Sequence, residues 1–286
     1  MKKIIRKSLF VLMLSTGVMV SCTNTNEDKN NTSSTSLSES EILLRYHPKQ
    51  GDEYVTKFDM DMKMDGEQSM NMEMDMDMVF KIGEVNKDNS YYSSMVINRV
   101  VTDMNMNSMK IKYDSDLETQ EGMGEMMGKI YSKMINVDIK SKLSNRGEIL
   151  EAPNFAEMFA GNEAVKKQME ESSDMTNNST IQYPEEPVKV GSTWDVEIEK
   201  AGATAMNVKS TYTVKEITDT EVVLTIVGNV LADSNNTMSM KMLGESVLDR
   251  ESGFMKKMNL GTDMKMEVMG KKMDMKMDMK MTMIKK

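Results

Sequence analysis

Long stretches of the chain alternate apolar and charged residues one by one. Tyr54, Phe58, Met60, Met62 and Met64 share one parity, with Asp59, Asp61 and Lys63 between them. After Asp65-Gly66, a hairpin-type turn pair, Met70, Met72, Met74, Met76, Met78, Phe80 and Ile82 alternate with Asn71, Glu73, Asp75 and Asp77. From Met273 to Met283 every odd position is Met, set against Asp274, Lys276, Asp278, Lys280 and Thr282. Met as a residue type favours helix. The period decides otherwise. At about 100° per residue, alternate positions would spread Met all round a helix, whereas on a strand they make one Met face and one charged face.

Weaker patterns predict further strands. One runs over 90–106 through Tyr92, Val96, Val100 and Met104, and a change of phase at Asn107-Ser108 leads into Met109, Ile111 and Tyr113. A hairpin is expected over 137–149 around Asn145-Arg146-Gly147, and strands at 192–200, 206–217, 221–231, 237–243, 253–260 and 262–269. The spacing is helical at 121–135 and at 154–171, where Asn154 stands as N-cap three residues before Glu157. No strand–helix–strand alternation suggests a parallel sheet. The expected fold is mainly β (a β-rich α+β chain): a curved antiparallel sheet or partly closed β-barrel with one or two central helices. Residues 41–286 form a single Met-rich β domain, with a helical insertion at about 121–171.

The first 40 residues read differently. Lys2, Lys3, Arg6 and Lys7 precede an apolar run from Leu9 to Val20, too short to span a bilayer as a mature helix. The run ends in Met19-Val20-Ser21-Cys22, which resembles a bacterial lipobox. That resemblance implies a signal peptide over 1–21, cleavage before Cys22 and acylation of Cys22 with palmitate-type chains. An ordinary signal with an incidental Cys is the alternative. Residues 22–40 are rich in Ser, Thr and Asn and carry one large apolar side chain, Leu37. They cannot bury enough surface to offset their ordering entropy and read as a disordered lipoprotein tether. Thr23 is not the Asp of the inner-membrane retention signal, and Glu27-Asp28 resemble the acidic signal of surface lipoproteins. The cell envelope is expected, lipid-anchored at the outer membrane, on its periplasmic or surface face. No later segment is apolar for 18 residues, so no transmembrane helix is expected.

Composition narrows the chemistry. The 286 residues include 37 Met but 1 His, 1 Cys and 1 Trp, with a formal charge of −9. One His and one Cys leave no His/Cys zinc site, disulfide framework or Cys/His nucleophile pair. Loss of the four basic residues of the signal takes the charge to −13. Such a chain is not a nucleic-acid binder, and its one strong membrane contact is the lipid at Cys22. His47 stands alone before Pro48 with no Ser or Cys motif beside it, and the carboxylates lie on the charged face of the strands. No catalytic residue and no cofactor is expected, and the protein is not an enzyme.

Several motifs together resemble a family of Bacteroidota lipoproteins of unknown function, the domain of unknown function 6263. They are Leu43-Leu44-Arg45-Tyr46 leading into Gly51-Asp52-Glu53-Tyr54, then Pro187-Val188-Lys189-Val190-Gly191-Ser192-Thr193-Trp194, and Leu248-Asp249-Arg250-Glu251-Ser252-Gly253. The resemblance implies no known activity. At the level of architecture the chain is also similar to the half-barrels of LolA/LolB-like lipoprotein carriers.

Two functional readings compete with a solid core that serves as a structural module of the envelope. In the first, Phe58, Met60, Met62, Met72, Met74, Met76, Met275, Met277 and Met279 line an interior that takes a lipid or apolar small molecule, for which flexible, polarizable thioethers are suited. In the second, Met60, Met62, Met72 and Met74 bind Cu(I) or Ag(I), soft ions matched to thioether sulfur. Against the second stands the spread of Met over most strands, since one ion needs only three or four. Scavenging of oxidants by a buried Met face is disfavoured, because sulfoxidation would break the packing.

Overall fold

The alternation becomes a single sheet. The protein is described by a computed structural model covering residues 41–66, 69–107, 109–118, 122–153, 181–201, 206–231, 238–268 and 271–286. The signal and tether (1–40) and the helix expected at 154–171 lie outside the described residues. The strands are β1 (Glu53–Asp65), β2 (Met70–Val85), β3 (Tyr91–Met106), β4 (Met109–Asp114), β5 (Asp138–Leu143), β6 (Ile149–Glu151), β7 (Thr193–Ala201), β8 (Met206–Ile217), β9 (Glu221–Leu231), β10 (Ser239–Asp249), β11 (Met255–Val268) and β12 (Lys271–Lys285). They form one antiparallel sheet in the order β6-β5-β3-β2-β1-β12-β11-β10-β9-β8-β7, with β4 beside β3. It is curved but not closed: β6 and β7 end it. The centre is the pair β1–β12, which joins the first strand to the last.

Register aligns the Met residues into rows across neighbouring strands. One row runs Met104, Met72, Met62, Met277, Thr262, Met242. The next runs Met106, Met70, Met64, Met275, Met264, Met240. A third runs Thr102, Met74, Met60, Met279, Leu260, Gly244. Gly244 makes room in its row: a Cβ there would overlap Leu260 Cδ1. The sequence pattern ends at 243 because Gly244 interrupts the apolar parity. The strand nevertheless continues to Asp249, because the Leu260 side chain fills the gap. Likewise 253–260 and 262–269 are one strand, β11, running through Gly261.

β3 departs from the expected pattern. Met78 pairs with Ile97 but Asp77 pairs with Arg99, so Asn98 is an extra residue and the two sides of the bulge present opposite parities. Tyr91, Ser93 and Ile97 are buried before it, and Val100, Thr102 and Met104 after it. Tyr92 therefore lies on the outer face, 37% exposed, while Tyr91 is 1% exposed.

Among the described residues there is one helix, α1 (Met123–Tyr131), where the sequence places one at 121–135. Gly124 and Gly128 cost it about 1 kcal/mol each relative to Ala. Packing holds it instead: Met127 and Tyr131 are buried in the Met core, and Tyr131 stacks on Tyr113 of β4 at 5.1 Å. The helix covers the β4 side of the sheet rather than its centre.

The outer face does not pair its charges as the alternation of Asp and Lys in 274–280 suggests. Toward β11, Lys276 meets Asp263 at 3.7 Å and Asp274 faces Lys265. Toward β1, Asp278 faces Asp61, Lys276 faces Lys63, and Asp274 faces Asp65. Asp103, Glu73, Asp61 and Asp278 thus form an acidic row, and Asp75 faces Asp59. Like charges opposite each other are destabilising, and the row stands because a slip that would relieve it would also unmake the Met rows. Partial burial, then Asp59, Asp61 and Glu73, push the Asp75 carboxyl above its ordinary range.

Two predictions follow from register and close approach. Folded Asp75 is harder to ionise than unfolded Asp75, so its charge subtracts stability at neutral pH, and the penalty fades as pH falls through the carboxylate range. Asp75→Asn therefore raises stability at neutral pH by about a few tenths of a kcal/mol. Thermal melts should show that margin shrinking in acid; a margin that grows in acid refutes this sign. Gly253 has φ +73° and a Cβ there would overlap the Arg45 carbonyl oxygen. Gly253→Ala should lose roughly 2–4 kcal/mol in urea unfolding.

Candidate functional site

The predicted lining residues come together. Met74, Met72, Met60, Met62, Met277 and Met279 occupy adjacent places in two rows on β2, β1 and β12, and Met275 lies one row beyond. Phe58 and Met76 face each other on the other side. Met62, Met72, Met275 and Met277 are only 1–2% exposed, and Met60, Met74 and Met279 5–8%, while Phe58 and Met76 are half-buried. Each buried side chain contributes about 1.5–3 kcal/mol through removal from water. The face is thus packed, and its side chains are long and unbranched, free to take other rotamers. Met60, Met62, Met72 and Met74 form two facing pairs, Met60 with Met74 and Met62 with Met72. The same rows continue through Met279 and Met277, so register sets no quartet of sulfurs apart.

The end of the sheet away from these rows is aromatic. Tyr46, Tyr54, Tyr91, Tyr183 and Phe254 pack together with Leu44, Val188 and Leu248. Tyr46 lies 4.7 Å from Tyr183 and 5.2 Å from Phe254, and Tyr54 lies 5.0 Å from Phe254. The segments before β1 and before β7 cross this end and are tied down. Ile42 and Val188 exchange backbone hydrogen bonds, and His47 N donates to Ser252 O. The Tyr183 hydroxyl donates to Gly253 O at 2.5 Å and the Tyr46 hydroxyl to Ile181 O at 3.0 Å. Arg45 donates to the carbonyls of Pro184 and Glu185, and Trp194 Nε1 to that of Gln182. Burial first, then neighbouring tyrosines, raises the Tyr183 and Tyr91 hydroxyls well above the ordinary range.

All four motifs quoted for the family resemblance meet here. Leu44 and Tyr46 come from the first, Tyr54 from the second, Val188 and Trp194 from the third, and Leu248 from the fourth. They hold strand ends to crossing segments.

Beside this cluster lies an open hollow of 610 Å³ between the segment entering β1, the β10–β11 turn and the end of β12. His47 stands exposed at it, and Tyr54, Phe254, Met255 and Met283 give it apolar wall. Its charges are three lysines (Lys49, Lys256, Lys285) and three carboxylates (Asp52, Asp249, Glu251). Lys285 bonds Asp52 at 2.5 Å, Lys49 meets Glu251 at 3.4 Å, and Lys256 bonds Glu221 at 2.6 Å. No candidate residue in the sequence pointed to this place except His47, which stands there with no Ser or Cys motif beside it. Among the described residues there is no group of three or more His, Cys, Asp or Glu able to hold a metal ion.

No curated protein matches the chain. Among solved structures, it is similar to the translocator domain of the autotransporter NalP from Neisseria meningitidis, at 6% identity and a TM-score of 0.35, over 82% of this chain and 89% of that one. A likeness at that level says nothing of function. The model of the Family of unknown function (DUF6263) matches residues 88–286, a stretch that starts after the first two motifs and contains the other two, and the chain belongs to that family.

Proposed function

We propose that the protein is a non-enzymatic lipoprotein of the cell envelope, anchored at the outer membrane through Cys22, that holds an apolar ligand or lipid against its Met face. The observation that carries this reading is the run of Met rows across β2, β1 and β12 in a sheet whose ends, β6 and β7, are not bonded to each other. A closed barrel widens only by breaking ladder hydrogen bonds. An open one spreads by changing curvature, and Met side chains re-pack around a guest at little cost in strain. The anchor rests on the lipobox-like Met19-Val20-Ser21-Cys22 and the polar tether after it.

Two measurements test the two halves. Cells fed labelled palmitate should label the protein, and Cys22→Ala should abolish the label and release the chain from the membrane fraction. Native mass spectrometry of the protein taken from membranes should show a co-purifying apolar mass; a bare chain, with no uptake of added dodecane, leaves a structural module of the envelope as the function. A second reading is Cu(I) binding by the facing pairs Met60/Met74 and Met62/Met72, which lie in neighbouring rows. Anaerobic titration against a competing chelator decides it. Affinity tighter than micromolar, lost when Met62 and Met72 become Leu, supports copper, and weaker binding excludes it.

A further inference from the structure

The hollow at the aromatic end has a feature that packing does not explain. Tyr54 is 5% exposed, and its buried hydroxyl makes no hydrogen bond. A buried polar atom without a partner costs about 1–3 kcal/mol. The other tyrosines of the cluster that carry hydrogen bonds, Tyr46 and Tyr183, spend them on backbone carbonyls that close the end of the sheet. Thr56, two residues on along the same face of β1, is 4% exposed, and its hydroxyl also lacks a partner. Thr56 sits opposite Met283, which lines the hollow.

The surroundings define what would satisfy Tyr54. Burial first, then Asp52 and Asp249, keep the phenol protonated, its pKa pushed up to about 12. It is therefore a donor, and the acceptor beside it, the Asp52 carboxylate, is engaged by Lys285. An anionic acceptor would meet the repulsion of Asp52 and Asp249, and the three lysines are offset by three carboxylates. The matching acceptor is an uncharged oxygen, a hydroxyl or an ester carbonyl. Next to it, Met255, Met283 and Ile284 offer apolar surface, of which Ile284 is 68% exposed. The volume lies within the range of ordinary small-molecule sites, about 300–1,000 Å³. Met255, Met283 and Lys285 are long and flexible, so the wall of the hollow can re-pack around a guest.

We infer that this hollow is a binding site, separate from the Met face, for a neutral molecule with an apolar body and a hydroxyl or ester oxygen that accepts from Tyr54. The acylglycerols and the simple alcohols share this chemistry.

The full chain labelled at the Met methyl carbons reads the site directly by NMR. Titration with 1-monooctanoylglycerol should shift the Met255 and Met283 methyls. Tyr54→Phe, which removes only an unbonded oxygen, should weaken that binding about three- to tenfold while leaving the melting temperature unchanged or raised. Octanoate should bind several-fold more weakly. Equal binding by 1-octanol assigns the site to simple alcohols, and preference for the glyceride assigns it to acylglycerols. No shift at Met255 and Met283, unaltered affinity in Tyr54→Phe, or equal affinity for octanoate overturns the inference. Shifts at Met62 and Met277 alone overturn it too, and they leave the Met-face reading standing.

Discussion

The pairing of β1 with β2 and β12 in one register is the constraint on which everything else rests. Strand side chains have a period of two, so a slip of one residue would move every Met to the outside and every Asp and Lys to the core. Over 12 paired positions on each side of β1, that penalty far exceeds any preference among the charges. The outer face shows the consequence: Asp103, Glu73, Asp61 and Asp278 stand in a row. Opposed carboxylates are tolerated because their cost in water is small beside the burial that fixes them.

The same sheet has two interiors of different stiffness. Toward one end, thioethers with three free torsions pack on one another. Toward the other, rings hold fixed centroid distances and their hydroxyls bond backbone carbonyls across segments far apart in sequence, as Tyr183 does to Gly253. The motifs quoted for the resemblance map to the stiff end. The two ends therefore differ in how freely their side chains can change rotamer.

Much of this was legible beforehand. Met60, Met72 and Met277 announce their strands by alternation, and their common face follows from it. The misreadings have local causes. Asn98 is an ordinary strand residue until its partners are known, and the bulge it makes turned Tyr91 inward and Tyr92 outward. Gly244 looked like an end because the side chain that fills its place, Leu260, comes from the next strand. The hollow had no signal at all. It joins Lys49 to Glu251, 202 positions apart, and its orphan hydroxyl belongs to Tyr54, which alternation marks only as one more core position.

The β1–β12 pairing also orders events in time. Asp65 faces Asp274 and Tyr54 faces Lys285, so the middle of the sheet is stitched by the contacts of longest sequence separation, the slowest kind to form. Until β12 is in place, β1 presents an unpaired edge with Met on one side and Asp on the other. The like-charged outer row then acquires a use in the unfinished chain. Two such edges from different molecules, paired antiparallel about Met60, would set Asp59 against Asp61 and Lys57 against Lys63, which disfavours that pairing relative to the chain's own β12.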